Sequence, residues 1–509
     1  MTAKGAVAAG HPQTAEAAAL LLEAGGNAFD AALAALCMAC VAEPVLTSLG
    51  GGGFLTARTA AGKARVYDFF VQTPRRMRPR AEIELFPVVA DFGSAQQEFH
   101  IGLGALATPG TLRGLFDVHR DLGTVPMPRI VEPAVAAARD GVRLNRLQAY
   151  IFSVVAPIYL ATPGSRALYA SPRDPSRLLG EGECLRQPEL GDTLELLGIE
   201  GDRLFYEGEM AQALVALCEQ GGGQLAAADL AGYRTLRRHP LRRSYRDARL
   251  HLNPPPSSGG LLIAFALALL EQRDLGGVPF GAPEHLLSLA HAMEQTNLAR
   301  DAGPEDERLL QVERLDLHRK ALPGRPLATR GTTHISVIDA AGNAASLTLS
   351  NGEGCGQILP GTGIMLNNML GEEDLNPQGL HCWREDVRVS SMMAPTLAEQ
   401  AGRLMALGSG GSNRLRTAIL QVLCNLIDFR LEPEAAVAAP RLHLERGKLS
   451  SEPGFPPQSL ARLTDQWPNH QRWDELNLFF GGTHTVVYDG HRFRGAGDPR
   501  RGGVLRVVP

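Results

Sequence analysis

The tetrapeptide Gly331-Thr332-Thr333-His334 holds the residue types that acyl-transfer chemistry needs. A threonine hydroxyl is a weak nucleophile until a base takes its proton, and a threonine that begins a chain carries such a base in its own α-amine. Thr332 is internal, so this chemistry requires the chain to break first between Gly331 and Thr332. The hydroxyl attacks the Gly331 carbonyl, an ester replaces the peptide bond, and water releases a new amino terminus. Gly331 suits the step, because a residue without Cβ tolerates strained geometry. Taken alone, the tripeptide after Gly331 reads more simply as the start of an ordinary strand. A second chemical feature is Gly408-Ser409-Gly410-Gly411-Ser412, a loop joining a strand to a helix N-terminus, where backbone N–H groups face an anion. A phosphate loop is the competing reading, but no lysine follows the glycines. His334, His381 and His484 lack helix-spaced or C-x-x-C partners, so no metal is implied, and no cofactor motif appears.

The elements around these residues must position them. Strands over 332–338 and 344–350 flank Asp339-Ala-Ala-Gly-Asn343, a hairpin signature. A strand over 403–407 feeds the glycine loop, and Leu415, Ile419, Val422, Leu423 and Leu426 fall on one face of a helix over 414–429. A second hairpin turns at Asp489-Gly490. In the N-terminal part, 15–24 reads as a helix closed by Gly25-Gly26, and 28–41 as a helix apolar nearly all round and therefore buried. Cys37 and Cys40 form a C-x-x-C inside that helix, where burial outweighs metal or redox work. Residues 302–330, rich in charge, proline and glycine, read as a loop leading to Thr332.

The chain has 509 residues and a net charge of −4, so no global basic field points to nucleic acid. The one dense basic run, Arg75, Arg76, Arg78 and Arg80, reads as a solvated loop. The longest apolar run, Leu261 to Leu270, is too short to span a bilayer. No secretory signal is visible and the seven cysteines make no disulfide framework, so the expected compartment is cytoplasmic, or periplasmic if a leader is missing.

Several further segments carry a family resemblance. They are Glu23-Ala-Gly-Gly-Asn27-Ala-Phe-Asp30, Leu49-Gly-Gly-Gly-Gly-Phe54, Ala107-Thr-Pro-Gly110 and Pro254-Pro-Pro-Ser-Ser-Gly-Gly260. Thr332-Thr-His-Ile-Ser-Val, Gly363-Ile-Met-Leu-Asn-Asn368, Ser390-Ser391-Met392, the Gly408–Ser412 loop and Gly495-Ala-Gly-Asp-Pro-Arg500 complete the set. In this order the sequence resembles the gamma-glutamyltransferase family along almost its whole length. The resemblance implies an α+β fold, a four-layer αββα sandwich of antiparallel sheets between helical layers. It implies one domain, 1–509, cut by its own chemistry into a large chain, 1–331, and a small chain, 332–509, which stay together as a heterodimer. Thr332 would be both processing residue and nucleophile, with Gly331 on the other side of the cut. Gly411 and Ser412 would hold the oxyanion through their N–H groups, with Ser412 where the family usually has a second glycine. Thr348, Ser350 and Asn351 stand where the family has a hydroxyl assisting the nucleophile and an asparagine touching substrate; Ser350 is taken as the hydroxyl and Asn351 as the substrate contact. Ser390 and Ser391, or by a second alignment Ser391 and Met392, match the family's serine pair, and Glu372 stands ready for a donor amine.

The pattern also breaks. The arginine with which the family pairs a donor α-carboxylate is Phe70 here, and a polar residue near Asn368 is Met369. A phenyl ring makes no bidentate contact, so γ-glutamyl donors are expected to bind poorly unless an arginine from the Arg75–Arg80 run replaces the missing one. Three readings follow: a γ-glutamyl hydrolase or transferase on glutathione-like amides, an acylase for glutaryl- or dicarboxyl-type side chains as in the related cephalosporin acylases, and a silent scaffold retaining the fold. The intact Thr332-Thr333 and glycine loop argue against the last.

Overall fold

The computed structural model describes residues 3–91, 96–301, 307–311, 331–373, 375–376 and 379–509. Most of the expected 302–330 loop lies outside the described residues. Two antiparallel sheets dominate. The seven-stranded sheet runs Leu236–Arg238, Ala64–Phe69, Gly52–Arg58, Ala344–Ser350, Thr333–Asp339, Gly5–Ala9 and Val504–Val508. The six-stranded sheet runs Leu241–Tyr245, Ala248–Leu252, Thr396–Gln400, Arg403–Gly410, Gly482–Tyr488 and Phe493–Ala496. The expected hairpin is present: Thr333 pairs with Leu349 and Ile335 with Leu347. On its far side the Thr333–Asp339 strand pairs with Gly5–Ala9, Ser336 facing Ala8. On the other side Ser350 faces Gly52. The glycine run answers this close pairing: a Cβ on Gly51 would overlap the Ser350 carbonyl oxygen, and one on Gly53 the Thr348 carbonyl oxygen.

The sheets face each other through a small core that includes Ala6, Ala8, Ile338, Leu397, Ala406 and Val486. The Thr333–Asp339 strand touches the Arg403–Gly410 and Gly482–Tyr488 strands across it. The outer surface of the seven-stranded sheet is covered by the helices Pro12–Glu23 and Ala28–Ala42. The helices Ser258–Leu270 and Arg414–Ile427 pack on the six-stranded sheet. Each fully buried large aliphatic or aromatic side chain in these layers contributes roughly 1.5–3 kcal/mol.

Every residue of Ala28–Ala42 is buried, as its all-round apolar sequence requires. Its start is set by a capping box between Asn27 and Asp30, and Asp339 Oδ2, at the end of the nucleophile strand, accepts from Ala28 N–H at 2.9 Å. One carboxylate thus fixes the helix to the strand that begins at the site. Cys37 and Cys40 are buried free thiols, the first pushed up to about 12 by burial. No helix among the described residues is long and apolar enough to cross a membrane.

Candidate active site

Hairpin register brings the key groups together. Because Thr333 pairs with Leu349, the last residue of the neighbouring strand, Ser350, lies alongside the Gly331–Thr332 peptide. Thr332 Oγ1 donates to the Gly331 carbonyl oxygen at 2.6 Å, and Ser350 Oγ donates to the same oxygen at 2.9 Å. The Gly331 N–H donates to Glu353 Oε1 at 2.9 Å. Gly331 is therefore held through both its N–H and its C=O, and the carbonyl of the Gly331–Thr332 peptide is polarised by two hydroxyls. Thr348 plays no part in this: its hydroxyl meets His334 Nδ1 at 2.8 Å, while His334 Nε2 meets Ser336 Oγ at 2.9 Å. His334 is fully buried beneath Gly408, and burial holds it well below the usual histidine range. It is a neutral packing element of the strand.

The glycine loop approaches the nucleophile from the other sheet. A Cβ on Gly410 would overlap the Thr332 carbonyl oxygen, so only glycine fits there. Gly411 has φ 120° and Ser412 φ 52°, the left-handed side of backbone space. Asn413 Nδ2 donates to Glu445 Oε1 at 3.1 Å and so anchors the loop where the Arg414–Ile427 helix begins. Behind Thr332, Thr333 Oγ1 and Thr14 Oγ1 both donate to Glu43 at 2.7 Å. Burial raises the Glu43 pKa, with the two hydroxyls opposing the shift. Arg501 Nη1 donates to the Thr332 carbonyl at 3.4 Å. A cavity of about 40 Å³ lies against Gly331, walled by Val45, Leu46, Ile151 and Val154, with Glu353 and Arg501 on its lining.

The turn after Ser350 gathers further polar groups. Asn351 is fully buried against Gly51 and Gly354. Asn368 Oδ1 accepts from Glu353 N at 3.0 Å, and Asn368 and Glu372 both crowd Gly352, whose φ is 64°. Ser390 and Ser391 are engaged elsewhere. Ser390 is exposed and donates to Pro256 O at 2.7 Å, while Ser391 Oγ accepts from Met393 N at 3.1 Å and its carbonyl accepts from Ser257 Oγ and Ser258 N. The pair fastens its loop to the Pro254–Gly260 turn.

Phe70 is buried, stacked on Phe54 at 5.5 Å in one apolar cluster with Met369, Leu370, Val389 and Met393. Its carbonyl accepts from Tyr233 Oη and from Arg388. Three arginines of the basic run have partners elsewhere. Arg75 lies 3.8 Å from Asp386, Arg78 donates to Gly223 O, and Arg80 donates to Ile83 O and Leu85 O.

With this geometry in place, similarity to known proteins becomes informative. The gamma-glutamyltranspeptidase family model matches residues 14–508. The chain belongs to this family. It is 33% identical to the acylase ACY 1 proenzyme of Pseudomonas sp. strain SE83 over 89% of this chain and 85% of that one. It is 30% identical to the glutathione hydrolase proenzyme of Escherichia coli K12, covering 94% and 87%. The crystal structure of a cephalosporin acylase from Bacillus halodurans superposes with a TM-score of 0.84 at 25% identity, covering 99% and 96%. As a family member, the chain is an enzyme of the amide acyl-transfer class. Sequence reasoning missed Glu43, Glu353 and Arg501, which touch the Gly331–Thr333 segment. Glu353 stood two residues beyond Asn351, and Arg501 one residue beyond the Gly495–Arg500 motif, but neither position alone signals contact with Thr332.

Proposed function

We propose that this chain is a self-processing amidohydrolase that carries the acyl group of a γ-glutamyl-type amide on Thr332 and passes it to water or an amine. The observation that carries the reading is the convergence of Thr332 Oγ1 and Ser350 Oγ on the Gly331 carbonyl. In the precursor, the Thr332 hydroxyl attacks that carbonyl, the Gly331–Thr332 C–N bond breaks with the proton passing to nitrogen, and an ester forms. Water hydrolyses the ester, leaving a Gly331 carboxylate and a free Thr332 amine. That amine then takes the hydroxyl proton as Thr332 attacks a substrate amide, and the leaving amine departs protonated. Gly411 and Ser412, the left-handed turn that follows Gly410 where it packs on Thr332, are assigned to the oxyanion, a term of roughly 3–4 kcal/mol per donor. Asn351 and Glu372 are assigned to substrate, as are Ser390 and Ser391 on the strength of the family pattern.

The two products, 1–331 and 332–509, remain one folded unit in a four-layer αββα sandwich. The pairing of Gly5–Ala9 with Thr333–Asp339 supports this, because strands from both sides of the cut share a sheet. A second reading, an acylase for glutaryl or other dicarboxyl side chains, is favoured by the cluster that joins Phe70 and Met369. Two positions used by the family for an α-amino acid are apolar and packed together here. Mass spectrometry of the purified protein tests the mechanism. Two chains, the smaller beginning at Thr332, are expected, and Thr332→Ala should remain one inactive chain. A wild type that is active as one uncut polypeptide would refute it.

A further inference from the structure

Arg501 differs from Arg441, Arg500 and Arg300, each of which holds a carboxylate. Arg441 pairs with Asp498 at 2.6 Å, Arg500 with Glu452 at 2.5 Å and Asp498 at 3.2 Å, and Arg300 with Glu445 at 3.1 Å. Arg441 and Arg500 together engage the carboxylates of Asp498 and Glu452. Arg501, 6% exposed, is left with no carboxylate within 4.0 Å among the described residues. Among the described residues, its one side-chain hydrogen bond is the 3.4 Å contact from Nη1 to the Thr332 carbonyl, and its Nε has none. Burial brings its pKa down to about 10, so the group stays a cation at neutral pH. Asp498 and Glu43 are near enough to favour the charged form, but neither pairs with it directly. A buried cation without a hydrogen-bonded carboxylate has room to gain from an anion that joins it.

Its surroundings show where an anion would enter. A Cβ on Gly410 would stand 3.2 Å from Nη1 and one on Gly411 3.1 Å from Nη2, so the glycine loop makes room for the guanidinium beside the nucleophile. The same side chain lines two neighbouring cavities, the 40 Å³ space against Gly331 and one of about 30 Å³ bounded by His11, Glu43 and Gln148. Gly331 is part of the wall of the first, and in the precursor it occupies the acyl side of the attacked carbonyl. Chain cleavage frees that segment from Thr332 and leaves the acyl half of a substrate facing the same wall. Val45, Leu46, Ile151 and Val154 suit a short methylene chain, and Arg501 suits a charge at its end. Glu43 and Glu353, on the linings of these cavities, disfavour a dianion and leave room for a single negative charge.

We infer that Arg501 receives a carboxylate on the acyl half of the substrate, making it the specificity-determining cation that the Phe70 position does not supply. This rests on the amidohydrolase reading, and it holds for both γ-glutamyl and glutaryl donors, each of which carries such a carboxylate. A planar guanidinium meets a carboxylate with two parallel hydrogen bonds, a geometry that lysine does not reproduce.

The test uses the processed enzyme with glutaryl and pentanoyl p-nitroanilides, equal in chain length and differing in the terminal carboxylate. Wild type, Arg501→Gln and Arg501→Lys are compared by kcat and KM, together with competitive inhibition by free glutarate. Wild type should prefer the glutaryl anilide. Arg501→Gln should lower the glutaryl-to-pentanoyl ratio of kcat/KM about ten- to a hundredfold through KM, with an intermediate ratio for Arg501→Lys. The glutarate inhibition constant should rise in step. Should Arg501→Gln not fold, the Arg501→Lys ratio and its glutarate inhibition decide the matter. An unchanged ratio, or an equal fall in kcat on both anilides, overturns the inference and assigns Arg501 to the oxyanion or to packing. Failure of wild type on these anilides and on γ-glutamyl p-nitroanilide alike would instead overturn the amidohydrolase reading.

Discussion

Replacing Ser350 by alanine isolates the group that polarises the cleavage site. Ser350 Oγ donates to the Gly331 carbonyl oxygen at 2.9 Å and accepts from Gly352 N–H at 3.1 Å. As Thr332 attacks, charge builds on that carbonyl oxygen, and a buried donor already aimed at it gains strength in the transition state. Loss of one such donor raises a barrier by about 2.7–4 kcal/mol, so Ser350→Ala should slow chain cleavage about a hundred- to a thousandfold. The Gly352 N–H is also left without its acceptor, which lowers stability by only about 1–3 kcal/mol. The two effects separate in one preparation. Freshly purified precursor is followed on denaturing gels for conversion to two bands, while circular dichroism and thermal melting report the fold. Ser350→Thr keeps the hydroxyl and should recover much of the cleavage rate. Cleavage of Ser350→Ala at the wild-type rate, in a protein that melts normally, would refute the assignment and return Thr348 or a water to that role.

The Phe70 ring lies in an apolar cluster against Phe54, so Phe70→Arg places a cation among apolar side chains. We expect a loss of about 3–5 kcal/mol in stability and no gain in γ-glutamyl affinity, read by thermal melting and steady-state kinetics; tighter γ-glutamyl binding would show that the side chain reaches the pocket. His285 and His484 are buried and held down at about 4 from an ordinary value of 6.5. Their neutral forms favour the folded state above pH 6.5, and that stability is lost as pH falls from 6.5 towards 4, because the unfolded chain takes up the protons. Each contributes up to about 1.4 kcal/mol per pH unit in this window. Urea unfolding of Thr332→Ala at pH 5 and 7 should show the fall, and adding His285→Gln should reduce its slope; an unchanged slope would mean that His285 titrates normally.

Local pattern was enough for the elements that carry the nucleophile. The turn at Asp339–Asn343 announces the hairpin, the one-sided apolar face announces the Arg414–Ile427 helix, and Ala28–Ala42 is buried as its composition demands. These are short-range properties, in which periodicity and turn chemistry act over a few residues. The order of motifs also disclosed the family and singled out Gly331, Thr332, Ser350 and the glycine loop. Pairing partners far apart in the chain were another matter. Gly5–Ala9 is a run of small residues with no alternation, and it becomes a strand only because Thr333–Asp339 and Val504–Val508 flank it. Phe70 stands at the family's carboxylate-binding position, and only packing across the fold shows that its ring lies on Phe54. Arg501 lies 169 residues from Thr332 and has no motif of its own. Its charge acquires meaning only from what surrounds it: Arg441 and Arg500 hold Asp498 and Glu452, and two glycines have left it space beside the nucleophile. A sequence displays residue types and spacing, whereas burial and the distance to a counter-charge exist only once the sheets have closed.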